Sequence, residues 1–338
     1  MKDVLLTFDY ELFFVDSGSI DDCLIRPVND ILEYLKKYNY RATFFVDTVY
    51  LNRLQVVDID GFNRIKLQLE QIVKEGNRIE LHLHPHWIDA VYDNSISSWH
   101  FPTYEHYMLP SLTNEQIDKL FREGISLLND VARCVNPNYT VMAFRAGGWC
   151  IEPFSKIRPF FEKYGLVVDT SVAKDVTVKN GIHSVDFTSA PNASHYRFSS
   201  SSIIEESKGT FFEFPISTNY ISYMRLLYNA FNKKFLDKDV IRIYGNGKGI
   251  TTNSCSNSYF RMLFFFIAKK NRLRMFSLDG TIIPNQLIKL FDNDERQLIT
   301  LISHPKSITK NALHFLEKAS IKDWNFLNIK EAYDKYSQ

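Results

Sequence analysis

The sequence predicts an α/β protein: one barrel-like domain of parallel strands and helices, with insertions. Three observations carry that expectation. Short apolar runs alternate with amphipathic helical patterns, ionisable residues recur directly after the apolar runs, and neither a linker nor a fixed repeat divides the 338 residues.

The elements follow in order. Val4 to Phe8 is a short apolar strand that begins almost at residue one. In 26–38, Val28, Ile31, Leu32 and Leu35 fall at helical spacing, and Pro27 suits a first turn. Ala42 to Val46 reads as a second strand, 61–74 as a helix closed by Gly76, and Arg78 to Leu83 as a third strand. The segment 87–112 has no clear period and is rich in Trp, Tyr, His and Pro, so a long loop beside a site is expected. Thr113 caps a helix running to about Cys134, with Gln116 completing a capping box. Val141 to Arg145 is a strand, 154–164 a helix, and Leu166 to Asp169 another strand. The stretch 172–258 reads as an irregular insertion, apart from Phe211 to Ile216, which alternates like a strand. Regular rhythm returns with an apolar helix near 257–270, a helix at 284–292, a strand at Leu298 to Ser303 and a helix at 309–319.

Composition narrows the classes. Lys and Arg total 40 against 39 Asp and Glu, so the basic excess of a simple nucleic-acid binder is missing. Apolar residues at 45% and charged residues at 23% describe a folded chain. Aromatic content, at 14%, is the outlier; such rings fill cores, and Trp and Tyr also line flat-ligand clefts. Cys23, Cys134, Cys150 and Cys255 stand singly, which suits neither a disulfide framework nor a thiolate metal site. No room precedes the first strand for a secretory signal, and the longest apolar run, Met262 to Ala268, is far short of the roughly 20 residues that span a bilayer. A reducing, cytoplasmic location is the resulting expectation.

Chemistry gathers at strand ends. Asp9 and Glu11 follow the first strand, His82, His84 and His86 end the third, and Arg145, Asp169 and His304 each end a later one. In a parallel barrel these ends open on one face, where catalytic groups collect. Imidazole is the commonest nitrogen ligand for zinc and its neighbours. If Leu81 to Trp87 stays extended, all three histidines share a face; if it turns, His82 and His86 converge on one ion, and Pro85 disfavours a helix there. In Asp9-Tyr10-Glu11 one carboxylate can bind a metal while the other takes a proton from water.

Asp9 in its T-F-D strand end, the H-x-x-x-H at 82 to 86, Arg145-Ala146-Gly147-Gly148-Trp149, Asp169-Thr170-Ser171 and Leu301-Ile302-Ser303-His304-Pro305 occur in a familiar order. Over residues 1 to about 310 the sequence resembles the polysaccharide deacetylases, the NodB-homology enzymes of carbohydrate esterase family four. The resemblance implies a distorted (β/α) barrel of about seven parallel strands. It also implies hydrolysis of an acetyl group from an N-acetylated sugar or glycan with one divalent metal, zinc first, and cobalt, manganese or nickel as alternatives. Asp9 would be the base, Arg145 its partner, His304 the general acid and Asp169 the residue hydrogen-bonded to it, with His82 and His86 as metal ligands. Relatives have a second aspartate where Tyr10 stands, so the carboxylate ligand moves to Glu11, and His84 is a further candidate ligand. Tyr10, Trp87, Trp99 and Trp149 are candidates for contact with the sugar. The expected setting is polysaccharide or glycolipid biosynthesis, on a sugar that is free, nucleotide-linked or lipid-linked.

Three other readings stay open beside this one. A deformylase or cyclic-amide hydrolase would keep the barrel and change the bond. A carbohydrate-binding homologue would have lost catalysis through Tyr10, and a two-histidine, one-carboxylate iron oxygenase is chemically allowed but gives Arg145 and His304 no role. The basic, apolar stretch 259–276 reads as a barrel helix before a membrane-surface contact. Gly245 to Gly249 lacks the ending of a phosphate loop and reads as a turn, and His314 as structural.

Overall fold

The computed structural model describes residues 2–223, 231, 236–249, 271–280 and 283–338. The first strand, β1 (Lys2–Tyr10), is buried from Asp3 onward. Helix α1 (Arg26–Tyr38) turns Val28, Ile31, Leu32 and Leu35 into the core and ends at Asn39, whose φ of 53° is a left-handed cap. Strand β2 (Thr43–Asp47) leads into α2 (Thr48–Val57) and then α3 (Ile59–Lys74). Helix α2 was not expected from sequence, because its valines and Thr48 mimic a strand and no polar stripe marks a helix face. Asp47 starts it by accepting from the backbone N–H of Tyr50.

After β3 (Arg78–Leu83), the expected long loop contains a small hairpin of β4 (Val91–Asp93) and β5 (Ser98–His100). Helix α4 (Asn114–Arg133) has both bonds of the Thr113–Gln116 capping box. Strand β6 (Ala143–Ala146), α5 (Phe154–Tyr164) and a two-residue β7 (Val168–Asp169) follow. The insertion is built from a hairpin, β8 (Thr177–Lys179) with β9 (Ser184–Asp186), then β10 (Tyr196–Phe198), β11 (Phe211–Glu213), β12 (Thr218–Ile221) and the short α6 (Lys238–Ile241). Strand β13 (Arg272–Met275) pairs antiparallel with β12. It takes up the end of the basic stretch read as a helix over 259–276; the expected helix near 257–270 lies outside the described residues. The chain closes with α7 (Pro284–Asp292), β14 (Leu298–Ser303), α8 (Lys310–Ala319), β15 (Trp324–Leu327) and α9 (Ile329–Tyr336).

One nine-stranded sheet organises the molecule, in the order β10-β11-β7-β6-β3-β2-β1-β14, with β15 also pairing with β1. All pairings are parallel except β10 with β11. The sheet curls into a half-barrel with helices outside, which is the expected α/β, distorted-barrel class. Helices cover β1 to β3, whose residues are almost wholly buried, as a parallel sheet requires. Register then sets the chemistry. Asp47, His82 and Arg145 stand side by side on β2, β3 and β6, and Asp169 stands beside Glu213 on β7 and β11. Parallel pairing puts all of these at the same end of the sheet.

Candidate active site

Asp9 lies at the end of β1 with 3% of its surface exposed, and Arg145 from β6 is fully buried against it. Arg145 Nη1 donates to Asp9 Oδ1 at 2.5 Å, Nη2 to Thr7 Oγ1 at 2.9 Å, and Nε to the backbone oxygen and hydroxyl of Thr170. Its guanidinium also lies 4.3 Å from the centre of the Phe45 ring. Each of the three guanidinium nitrogens therefore has a partner, which fixes the aspartate in place and keeps a counter-charge beside it.

His304, at the end of β14, places Nε2 at 3.6 Å from Asp9 Oδ2 and 3.6 Å from Glu11 Oε1. Its Nδ1 bonds Asp279 Oδ2 at 2.7 Å, and its backbone N–H donates to the other oxygen of Asp279 at 2.8 Å. Burial opposes a charge on this imidazole, but the carboxylates of Asp279, Glu11 and Asp9 outweigh it and raise the pKa to about 9. The ring is then a cation at neutral pH, with Nε2–H facing the cleft. Asp169, which the resemblance paired with His304, is used elsewhere. Its carboxylate accepts from the backbone and hydroxyl of Ser171, whose oxygen in turn holds the backbone of Ala146. Beside it burial, with Asp169 as neighbour, pushes Glu213 well above the usual carboxylate range. Asp279 escaped the sequence reading because it sits in a loop, Ser277-Leu278-Asp279-Gly280, rather than at a barrel-strand end.

Glu11, His82 and His84 form a cluster with one ligand atom from each, all within 4.8 Å of one another. Glu11 Oε2 lies 3.1 Å from His82 Nε2 and 2.5 Å from His84 Nε2. His82 Nδ1 lies 2.7 Å from the carbonyl oxygen of Arg145, which can only accept, so Nδ1 carries the hydrogen. In the neutral ring the Nε2 lone pair then faces the carboxylate, an arrangement that needs a proton or a cation between them. Burial holds His84 at about 4, in the neutral form that a metal requires. Two imidazoles and one carboxylate make a donor set suited to zinc and its neighbours, so these residues fit the implied metal. His86, the other half of H-x-x-x-H, stands outside the cluster. It is fully buried among Phe14, Phe101, Tyr104, Tyr107 and Trp87, and neither ring nitrogen has a hydrogen-bond partner. The chain enters a 3-10 turn at Pro85, and the His86 ring stands 5.2 Å from that of His84.

Lys306 is a second residue the sequence reading missed. It is buried, donates from Nζ to Glu11 Oε1 at 2.9 Å and to the carbonyl of Leu12, and lies near the rings of Phe13 and Phe14. Lys306, His84 and His82 together outweigh burial and hold Glu11 well below the usual carboxylate range. Its only sequence signal was a lysine two residues after a strand-end histidine. The candidate sugar contacts divide. Tyr10 is buried and bonds Gln68, and Trp87 and Trp99 are packed with Tyr50 in the core, so none of the three faces the cleft. Trp149 is half-buried, 6.5 Å from the ring of His183. A cavity of about 310 Å³ lies over the cluster, and its walls include Phe13, Phe14, Tyr107, His183, His304 and Lys306.

Residues 1–150 match the family model for polysaccharide deacetylase, a span that contains Asp9, Glu11, the three histidines and Arg145. No curated protein matches the sequence. Among solved structures, one from Mycobacterium smegmatis, assigned as a polysaccharide deacetylase, is 13% identical with a TM-score of 0.50, covering 99% of this chain and 89% of its own. The 4-alpha-glucanotransferase of Thermococcus litoralis is 12% identical with a TM-score of 0.51, over 99% of this chain and 40% of that one. The peptidoglycan deacetylase PdaC of Bacillus subtilis is 13% identical with a TM-score of 0.39, over 100% and 92%. Residues 1–150 thus resemble the polysaccharide deacetylases, and the two structures with TM-scores of 0.50 and 0.51 share the half-barrel fold.

Proposed function

We propose that the protein is a metal-dependent hydrolase that removes the acetyl group from an N-acetylated sugar, acting in polysaccharide or glycolipid biosynthesis. The observation that carries this reading is convergence. His304 Nε2 lies 3.6 Å from both Asp9 and Glu11, so the Asp9–Arg145 pair, the His304–Asp279 pair and the Glu11–His82–His84 cluster adjoin one another, and Glu11, His304 and Asp279 line one cavity. Amide hydrolysis needs a base, an acid and an electrophile in one place. Glu11, His82 and His84 would hold the divalent ion, zinc first, with cobalt, manganese or nickel as alternatives. Such an ion, when bound, polarises the amide carbonyl and acidifies water. This chain's residues do the rest. Asp9, held by Arg145, takes the proton of the attacking water at Oδ2, the oxygen left free by the guanidinium. His304 delivers a proton from Nε2 to the departing amine nitrogen, and Asp279 holds that ring by Nδ1. Lys306 pins Oε1 of Glu11, so Oε2 is the oxygen offered to the ion. No helix among the described residues is long and apolar enough to cross a membrane.

Acetate release from a panel of free, nucleotide-linked and lipid-linked N-acetyl sugars, with and without a chelator, tests the reading. Acetate released only in the metal-loaded protein, and lost in Asp9→Asn with metal still bound, is the expected result. Full turnover by Asp9→Asn would remove Asp9 as the base. Formate release in place of acetate would assign a deformylase instead.

A further inference from the structure

We infer that the cavity takes a single N-acylated sugar unit, either free or at the end of a chain, and excludes internal units of a long polysaccharide; this rests on the deacetylase reading. Size is the first argument. At about 310 Å³ the cavity stands at the bottom of the roughly 300–1,000 Å³ range of small-molecule pockets. An internal unit must also have open space on both sides, so that its neighbours can leave in opposite directions.

The second argument is a wall that the barrel itself does not supply. The β8–β9 hairpin lies outside the main sheet and brings Asn180, Ile182 and His183 to the cavity. Its tip is rigid. Asn180 Oδ1 accepts from the backbone N–H groups of Ile182 and His183 at 3.1 and 2.8 Å, and Asn180 N–H donates to the carbonyl of His183. The tip is also latched to the barrel. His183 Nε2 lies 2.6 Å from the carbonyl oxygen of Gly148, so Nε2 carries the hydrogen, and its ring stands 5.2 Å from that of Tyr107. Gly148 makes the latch feasible: its φ is +58°, and a Cβ there would lie 3.0 Å from the Tyr107 hydroxyl and 3.3 Å from His183 Nε2.

The third argument is chemical. Phe13 and Phe14 line the cavity as apolar rings with Lys306 Nζ over each, and Asn180, His183, Asp279 and Ser307 add polar groups to the lining. A sugar ring has an apolar face and a rim of hydroxyls, and these walls match both.

The test maps products on the zinc-loaded full chain. The methyl glycoside of N-acetylglucosamine and a long N-acetylglucosamine oligomer are supplied in separate reactions, and deacetylated positions are read by mass spectrometry. Deacetylation confined to the terminal unit is expected, with kcat/KM for that unit at least about tenfold above any internal one. In His183→Ala, which frees the hairpin, that ratio should fall. Deacetylation of internal units at the terminal rate by the wild type overturns the inference and leaves the deacetylase reading intact. If no acetate appears from either compound, the reaction assignment fails, and binding decides the size question. Isothermal titration calorimetry should give an affinity independent of oligomer length, and an affinity rising unit by unit would overturn the inference.

Discussion

Replacing Arg145 by methionine should cost about 3 kcal/mol of folding stability, and the figure follows from what the change leaves behind. Methionine keeps much of the aliphatic packing against Phe45. Thr7 keeps its bond to the carbonyl of Leu301 at 2.8 Å, so its hydroxyl is not orphaned. Asp9 is different: with 3% of its surface exposed, its carboxylate loses the guanidinium held against Oδ1. Removing one member of a buried ion pair costs about 3–5 kcal/mol. His304, 3.6 Å from the other carboxylate oxygen, compensates in part and sets the expectation at the lower figure. The double variant Asp9→Asn/Arg145→Met removes both charges and should recover much of the loss, with a coupling of about 2 kcal/mol. Urea unfolding followed by tryptophan fluorescence, with chelator present throughout, measures all four corners of the cycle. A single variant within about 1 kcal/mol of wild type, or a double variant as unstable as the two singles added together, would refute the buried-pair argument.

Three further outcomes are expected. Glu11→Gln should weaken zinc binding by about 10–100-fold in competitive chelator titrations, because the carboxylate charge at the cluster is lost. Asp279→Asn should lower kcat about tenfold or more. It should also move the alkaline limb of the rate profile to lower pH, since the acid form of His304 is present below a pKa of about 9 and is lost as pH rises through it, and Asp279 is what chiefly raises that value. Glu213→Gln should change how stability depends on pH, because burial and Asp169 push the Glu213 carboxyl well above the usual carboxylate range. A raised carboxyl contributes stability that is present below its unfolded value and is lost as pH rises from there through its folded one, so the variant should lack part of the wild type's loss above the ordinary carboxylate range; an unchanged slope in urea midpoints against pH would contradict this.

Much of the site was legible because a parallel sheet writes its chemistry at strand ends. Asp9, His82, Arg145 and His304 each follow an apolar run, and register alone then brings them to one end of the sheet. Residues set by loops were not legible. Asp279 reaches His304 from a turn with no periodic signal, and Lys306 depends on the 3-10 turn at Pro305 to fold back towards Glu11. The 3-10 turn after His84 is likewise a local feature that spacing did not carry, and it is His84 that the structure groups with Glu11 and His82. Tyr10 and the two buried tryptophans show the limit of reading aromatics by type: the excess of rings went into a core that seals the back of the histidine cluster. Helix α2 was lost for the opposite reason, because β-branched residues imitate a strand until Asp47 caps them.

The pairing of β1 has a consequence in time. β1 meets β2 through Thr7 to Tyr10, but its remaining partners are the late strands β14, along Asp3 to Phe8, and β15, along Lys2 to Leu5. On the ribosome β1 emerges well before β14 and β15 and keeps an open edge until residue 298 and beyond have followed, a long-range closure that is slow and exposed to mispairing. His304 arrives on that same closing strand. A nascent chain can therefore bring Asp9 and the histidine cluster together while still lacking His304, and the step that seals the sheet is also the step that completes this group of residues.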